Sequence, residues 1–390
     1  MISGEFPPLQ GGVGDYTNLL CRQLTVLGVQ VGVVTSKAAG EGAHGQGFPV
    51  APAVERWNLF CWPELGKRIR TMNANIVHVQ YQTAQYGLHP AINLLPLALR
   101  LAKNPAKVVF TFHDLQPPRQ AWLRGPARGL AMRAGQHFCD GFIATNGADF
   151  QRLLAERPGP SEARYHLVPI GPNVLNQPPP RYTREEMRRR LGMGSRTLLL
   201  AHFGLLNASK GLPDLLAAMS LLAQQRREVR LLLVGGSTGS SDRANVSFAH
   251  DVHQQIDELG LRPLIVETGF LAPAEVSAHL LAADVCVLPY RDGASFRRGT
   301  LMAALEHGLP IVTTAPAEAA LVDGVNVRLA VAGNPEALAQ AIASLADDTV
   351  LRKRLGHQAA RLAKQFSWQS IAEKNMNLYL ELLEEPVGHS

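Results

Sequence analysis

A chain of 390 residues is too long for one ordinary hydrophobic core, so two domains are expected. Hydrophobic residues make up 46% of it, and no run approaches the roughly 18 apolar residues that a spanning helix needs, which argues against a membrane-spanning protein. The formal net charge of +6 resides in residues 1–173, which hold 16 Lys/Arg against 10 Asp/Glu, whereas the remainder holds 22 of each.

Apolar runs alternate with helical patterns along the chain, the signature of βαβ units and parallel sheets. A short first strand leads into Pro7-Pro-Leu-Gln-Gly-Gly-Val-Gly-Asp-Tyr16. A helix over 16–27 follows, with Leu19, Leu20, Leu24 and Leu27 on one face. Gly11, Gly12 and Gly14 let the backbone come close to a ligand, although many βα turns need glycine for their own geometry. The loop is not the dinucleotide fingerprint, because Val33-Val34-Thr35 ends the second strand where a ribose-binding acid would stand. Further strands are predicted over 29–35, 76–80, 107–113, 141–145 and 166–170, and the apolar stretch 91–102 reads as a packed helix. Phe110-Thr-Phe-His-Asp-Leu115 sets His113 and Asp114 at a strand's carboxyl end, where parallel sheets bind ligands. An imidazole there can donate to a sugar hydroxyl, carry a proton, or be satisfied by its own loop. His78, in mid-strand, reads as structural. Between Asp114 and Asp140 no acid occurs, while Arg119, Arg124, Arg128 and Arg133 interleave with Trp122, Leu123, Leu130 and Met132. Such a segment suits peripheral contact with an anionic membrane or an anionic acceptor, and equally a solvated helix with its apolar face inward. No nucleic-acid motif accompanies the charge.

Residues 171–182 are proline-rich and read as a linker. A second strand series is predicted over 197–203, 230–234, 264–266, 284–288 and 310–313, and 351–383 reads as helices with a bend at Phe366-Ser-Trp368. The two series imply two Rossmann-like domains with parallel sheets facing across a cleft. In Phe203-Gly-Leu-Leu-Asn-Ala-Ser-Lys-Gly211, Lys210 stands where the chain turns into a helix, so its ammonium could reach a phosphate, although Walker A spacing is absent. Val266-Glu-Thr-Gly-Phe-Leu271 supplies Gly269 and Phe270 at a strand end, fit for a flat base or simply for a turn. The segment 285–314 reads as a buried strand, a loop with Arg297 and Arg298, an apolar helix and a second buried strand. Two guanidinium groups beside the amides of Gly299 and Thr300 would bind a phosphate, and the alternative is a crossover with solvated arginines.

Cys21, Cys61, Cys139 and Cys286 show no CxxC spacing, and the chain opens without a basic segment followed by an apolar run, so a cytoplasmic protein with reduced thiols is expected. The 13 histidines lack metal-ligand spacing, and no G-x-S-x-G elbow is present. No metal or cofactor is expected.

Taken in order, Pro7–Tyr16, Thr111-Phe-His-Asp114, Gly204 with Lys210-Gly211, Thr268-Gly-Phe-Leu271, and Leu288-Pro-Tyr running to Gly308-Leu-Pro310 resemble the retaining GT-B glycosyltransferases of family 4, also called group 1. The resemblance covers essentially the whole chain. It implies an acceptor-binding domain over 1–172, completed by a helix at about 370–390, and a nucleotide-sugar-binding domain over 173–369. It implies metal-independent transfer with retention to a glycan, lipid-linked or small-molecule acceptor, within the cytoplasm, either free or peripheral to the membrane's inner face. By position, Gly12, Lys210, Arg297, Arg298, Gly299 and Thr300 would hold the donor diphosphate. Gly204, Gly269, Phe270 and Glu306 would lie at the base and ribose, and Ser295 and Phe296 at the donor sugar. His113 and Asp114 would be catalytic, with Gly14, Asp15 and Tyr16 on the acceptor side.

Two departures stand out. Two glutamates usual in the family fall at Ser295 and Ala303, and an arginine usual after the Gly204 position is Leu205. Arg297 and Arg298 are expected to compensate on the diphosphate, and Glu306, one turn after Ala303, on the ribose. The missing glutamates also suit an inactive nucleotide-sugar-binding or regulatory protein, and a nucleotide-sugar epimerase shares the fold.

Overall fold

The computed structural model describes residues 1–9, 11–40, 42, 47–113, 115, 133–204, 207–235, 243–316 and 318–384, the side chains of 243–246 excepted. Two compact units are formed, one of Met1–Gly171 with Trp368–Ser390, the other of Pro172–Ser367. Asp114, Arg119, Arg124 and Arg128 fall outside the described residues, and so does the membrane-facing role considered for that segment.

The first unit is built on seven parallel strands: β1 (Ile2–Ser3), β2 (Val33–Ser36), β3 (Val50–Val54), β4 (Ile76–Tyr81), β5 (Lys107–Phe112), β6 (Gly141–Ala144) and β7 (Arg164–Leu167). Their order is β3-β2-β1-β4-β5-β6-β7. The inner strands are apolar because helices cover both faces, as a parallel sheet requires. Val108, Val109, Phe110 and Phe112 of β5 are all buried. Helices Gly12–Val26, Trp62–Thr71, Leu95–Leu101 and Gly147–Glu156 belong to this unit, as does the last helix, Trp368–Glu384. The bend predicted at Phe366-Ser-Trp368 is present: the helix Thr349–Ala363 passes through a 3-10 turn at Lys364–Phe366 before Trp368 starts a new one.

The second unit carries six parallel strands, β8 (Leu198–Phe203), β9 (Val229–Val234), β10 (Ile265–Glu267), β11 (Val285–Leu288), β12 (Ile311–Thr314) and β13 (Arg328–Ala330). Their order is β10-β9-β8-β11-β12-β13, so sequence order reverses at β8 and β11. That reversal parts the loops following these two strands and leaves a crevice outside their carboxyl ends. The core gathers Leu200, Leu216, Leu231, Val287 and Val312 between sheet and helices.

Two strands, β3 and β13, escaped the sequence reading. Both lie at sheet edges. Pro52 in β3 lacks an amide hydrogen, which only an edge strand tolerates, and β13 is three residues long and begins with an arginine.

Inside the first sheet runs a buried polar chain. His78 on β4 lies 2.5 Å from the Tyr379 hydroxyl at Nδ1 and 2.7 Å from Thr111 Oγ1 at Nε2. Gln80 donates its amide to His78 Nε2 at 3.3 Å, and its Oε1 lies 2.9 Å from His113 Nε2. Burial holds the His78 imidazole well below its ordinary value of 6.5 and pushes His113 down to about 3. The unfolded chain therefore takes up protons below pH 6.5 that the folded chain refuses, so stability is full above that pH and declines as pH falls through it. Each imidazole held neutral costs about 1.4 kcal/mol per pH unit. The urea-unfolding midpoint should fall measurably between pH 7 and pH 5, above the range where ordinary carboxylates titrate; an unchanged midpoint would contradict the buried neutral histidines.

Candidate functional site

In the first unit, the chain leaving β1 turns at Gly4–Glu5, where Gln85 Oε1 accepts the Gly4 amide at 2.9 Å. Glu5 then folds its carboxylate back onto the helix Gly12–Val26, and Oε1 accepts from the Val13 and Gly14 amides at 3.1 and 3.2 Å. An anion at a helix N-terminus is satisfied there by the partial positive charge of the free amides. A Cβ at Gly11 would collide with that carboxylate, and one at Gly14 would press on the Glu5–Phe6 backbone at 3.2 Å. Gly11 and Gly14 are thus required by internal packing. The expected anion site at Gly12 is shared with a resident carboxylate, which sequence alone did not reveal. Gly12 itself is exposed and opens to free space.

His113 closes the strand end of β5. In the arrangement where Gln80 donates to His78, its Oε1 faces His113, so His113 Nε2–H donates and Nδ1 keeps an acceptor lone pair. Neutral down to about pH 3, it is a hydrogen-bonding group and no proton carrier near neutrality. Tyr16 meets its ring edge-on at 4.7 Å and leans on Trp368 at 5.2 Å. Tyr16 is buried and buttresses the imidazole, while Asp15 is exposed. Elsewhere in this unit a cavity of about 530 Å³ lies at the amino ends of β1, β2 and β4, among Met1, Gly32 and Ile76. Parallel sheets bind ligands at the opposite ends.

In the second unit, the carboxyl ends of β8 and β11 bring Gly204, Lys210, Arg298 and Thr300 together. Gly204 has φ +124°, and a Cβ there would collide with the Lys210 ammonium and lie 2.8 Å from the Thr300 methyl. No other residue fits under Lys210. The ammonium has no carboxylate partner among the described residues. Burial, and after it the charge of Arg298, lower its pKa to about 8.

Arg298 is positioned from three sides. It pairs with Asp292, stacks on the Tyr290 ring with Cζ 4.5 Å from the centroid, and reaches Ser209 Oγ at 3.4 Å. The Tyr290 hydroxyl in turn meets Thr300 Oγ1 at 2.6 Å. Arg298 caps the helix Gly299–Glu306, whose Gly299 and Thr300 amides find no acceptor among the described residues. The arginines expected to act as a pair are separated by the fold. Arg297 is exposed, bound through its own amide to Ser295 Oγ at 3.3 Å, while Arg298 turns inward beside Lys210. A ten-residue loop carries these groups, and Arg291 fastens it to the Lys210 turn by two bonds of 3.2 Å to Asp214 and by its amide to Ser209 O.

Ser295 and Phe296 are both held by Glu318, a residue the sequence reading did not single out. Ser295 Oγ donates to Glu318 Oε1 at 2.8 Å and the Phe296 amide at 3.1 Å. The Phe296 ring packs on Phe366 at 4.5 Å. Glu306 does not join the cluster: it ends the helix that Gly299 begins, roughly 10 Å of helix away. Its carboxyl takes a backbone hydrogen bond from Asn176, and burial raises its pKa. Glu306 thus stands at the other end of this helix from the Gly299 and Thr300 amides.

Beside Gly204, a cavity of about 220 Å³ is lined by His202, Gly235, His253, Glu267 and Gly269. Gly269 follows the end of β10 with φ +67°. Phe270 is 75% exposed and does not line the space. His202 was missed because it reads as one more residue of a buried strand. Its Nδ1–H donates to Val287 O at 2.9 Å, and burial takes its pKa to about 4, so a neutral acceptor nitrogen remains. Among the described residues no three His, Cys, Asp or Glu side chains gather as a metal site, and no helix is long and apolar enough to cross a membrane.

Residues 10–174 match the family model described as Glycosyltransferase Family 4, and residues 197–348 match Glycosyl transferases group 1. A D-inositol 3-phosphate glycosyltransferase from Corynebacterium aurimucosum is 27% identical over 98% of this chain and 96% of that protein. Sucrose-phosphate synthase from Thermosynechococcus elongatus shares the fold with a TM-score of 0.72 at 19% identity, over 96% of this chain and 94% of that one. HepE of Anabaena, solved in complex with UDP, does so with a TM-score of 0.72 at 21% identity, over 96% and 97%. At these identities the likeness is one of fold, two Rossmann-like domains of the GT-B type. Both halves of the chain thus carry matched glycosyltransferase domains, and the protein belongs to the family 4, group 1 glycosyltransferases, which take a sugar from a nucleotide-sugar donor.

Proposed function

We propose that the protein transfers a sugar from a nucleoside diphosphate to a hydroxyl of an anionic polyol, without a metal and with retention at the anomeric carbon. The observation that carries the reading is Lys210: a half-buried ammonium beside Arg298, with no carboxylate partner among the described residues, at the mouth of two parallel strands. A diphosphate supplies the missing negative charge, and the Gly299 and Thr300 amides add donors aimed by a helix. The cavity bounded by Gly204, Gly235 and Gly269 lies next to it and suits the base and ribose.

In the step itself the bond from the anomeric carbon to the diphosphate oxygen breaks. The acceptor oxygen bonds to that carbon on the same face, and its proton passes to the departing phosphate. Lys210 and Arg298 lower the barrier by stabilising the charge that develops on the leaving group, work otherwise done by a divalent cation. His113, neutral with an open Nδ1, accepts from a sugar hydroxyl. The anionic acceptor is supported by the excess of six positive charges in residues 1–173 and by relatives named D-inositol 3-phosphate glycosyltransferases. Retention rests on the family resemblance.

Turnover of UDP-, GDP-, ADP- and dTDP-glucose with inositol 3-phosphate and free inositol as acceptors tests the reading. One donor should give an α-linked product by NMR, faster with the phosphorylated acceptor and at an unchanged rate in EDTA; no transfer from any donor would refute it. Lys210→Ala should weaken binding of the matching nucleoside diphosphate about 10- to 100-fold in calorimetry, and near-wild-type affinity would remove Lys210 from the site. Since only the protonated amine attracts the diphosphate, wild-type affinity should hold up to about pH 7.5 and fall as pH rises through about 8 to 9, a slope that Lys210→Ala abolishes.

A further inference from the structure

The turn after β12 runs beside the loop that leads to Arg298. Ala294 and Pro316 extend the β11–β12 pairing by one parallel bridge, which brings Glu318 against Ser295 and Phe296. Glu318 Oε1 takes both available donors, the Ser295 hydroxyl at 2.8 Å and the Phe296 amide at 3.1 Å. Oε2 is enclosed and has no partner among the described residues. A single neutral carbonyl would serve those two donors equally well. The second oxygen brings a negative charge into an enclosed place and leaves it unsatisfied, which costs stability and which the turn does not explain.

Position supplies an explanation. Ser295 and Phe296 lie just before Arg298 and the free amides of Gly299 and Thr300. A sugar is joined to the diphosphate through a single bridging oxygen, so with the diphosphate on those amides it lies in the neighbourhood of this loop. An oxygen that only accepts, placed beside a cationic phosphate site, selects a neutral hydroxyl and rejects a further phosphate.

We propose that Glu318 Oε2 accepts a hydrogen bond from a hydroxyl of the donor's sugar and so helps determine which sugar is transferred. This rests on the nucleotide-sugar reading above. Because Oε2 is enclosed, the Glu318 side chain shifts to meet the hydroxyl. Glu318 is thus a donor-binding residue brought from a different loop than Ser295, after a different strand.

The test uses Glu318→Gln, which keeps an acceptor for Ser295 and Phe296 and removes the charged oxygen. Calorimetry compares wild type and variant with two probes: the tightest-binding of UDP-, GDP-, ADP- and dTDP-glucose, and its own nucleoside diphosphate. The variant should bind the diphosphate like wild type, bind the nucleotide-sugar at least about fivefold more weakly, and melt no lower than wild type. Glu318→Ala, which also removes the acceptor of the turn, should weaken both ligands. Wild-type affinity of Glu318→Gln for the nucleotide-sugar would overturn the proposal and leave Glu318 as a fastener of the turn. Equal losses for both ligands would overturn it as well, since they would mark a structural role. If the wild-type protein bound none of the four donors, the functional reading would fail, and this proposal with it; loss of the Glu318 effect alone leaves that reading standing.

Discussion

The closeness of Lys210 and Arg298 is the constraint around which the second unit is organised. Burial first, and after it the like charge of Arg298, hold the pKa of Lys210 below its ordinary value. The surroundings treat the two unequally. Asp292 and the Tyr290 ring neutralise and orient Arg298, while Lys210 receives no acid among the described residues. An ion pair on both cations would have quenched the site, and none on either would have destabilised the loop. One tethered cation beside one unpartnered cation leaves a net demand for an anion, and that demand is the chemical content of the site.

The first unit handles the opposite sign by a similar device. Its helix N-terminus, a natural anion receptor, is fitted with the Glu5 carboxylate, so the glycine loop is shaped by an internal partner. Behind it, Tyr379, His78, Gln80 and His113 form a continuous hydrogen-bonded row from the last helix to a strand end. Each imidazole is kept neutral by burial and oriented by its neighbour. The ring offered at the strand end is therefore a fixed acceptor, with its tautomer set from within the core.

The architecture was readable because parallel strands buried on both faces must be apolar, and their loops must carry the glycines and charges. Eleven strands were anticipated for that reason. β3 and β13 were missed because an edge strand needs neither apolar continuity nor every amide. The site was readable where chemistry is local. Lys210 at a helix mouth, Gly204 beneath it and the amides after Arg298 follow from a strand, a turn and a helix in succession. It was unreadable where partners come from elsewhere in the chain: Glu5 on the amides of Val13 and Gly14, Glu318 on Ser295, and Arg298 turned inward while Arg297 stays out.

Sequence by itself determined the alternation of strand and helix, the two-unit division of labour among motifs, and the presence of cations and glycines at strand ends. All of these are properties of neighbours along the chain, governed by periodicity and by the absence of a Cβ. Only the tertiary structure decided, among the described residues, which cation lacks an acid, which carboxylate is left with an unpaired oxygen, and which imidazoles are neutral. Those depend on burial and on contacts between residues up to about 300 positions apart, such as His78 with Tyr379, and no local pattern encodes them.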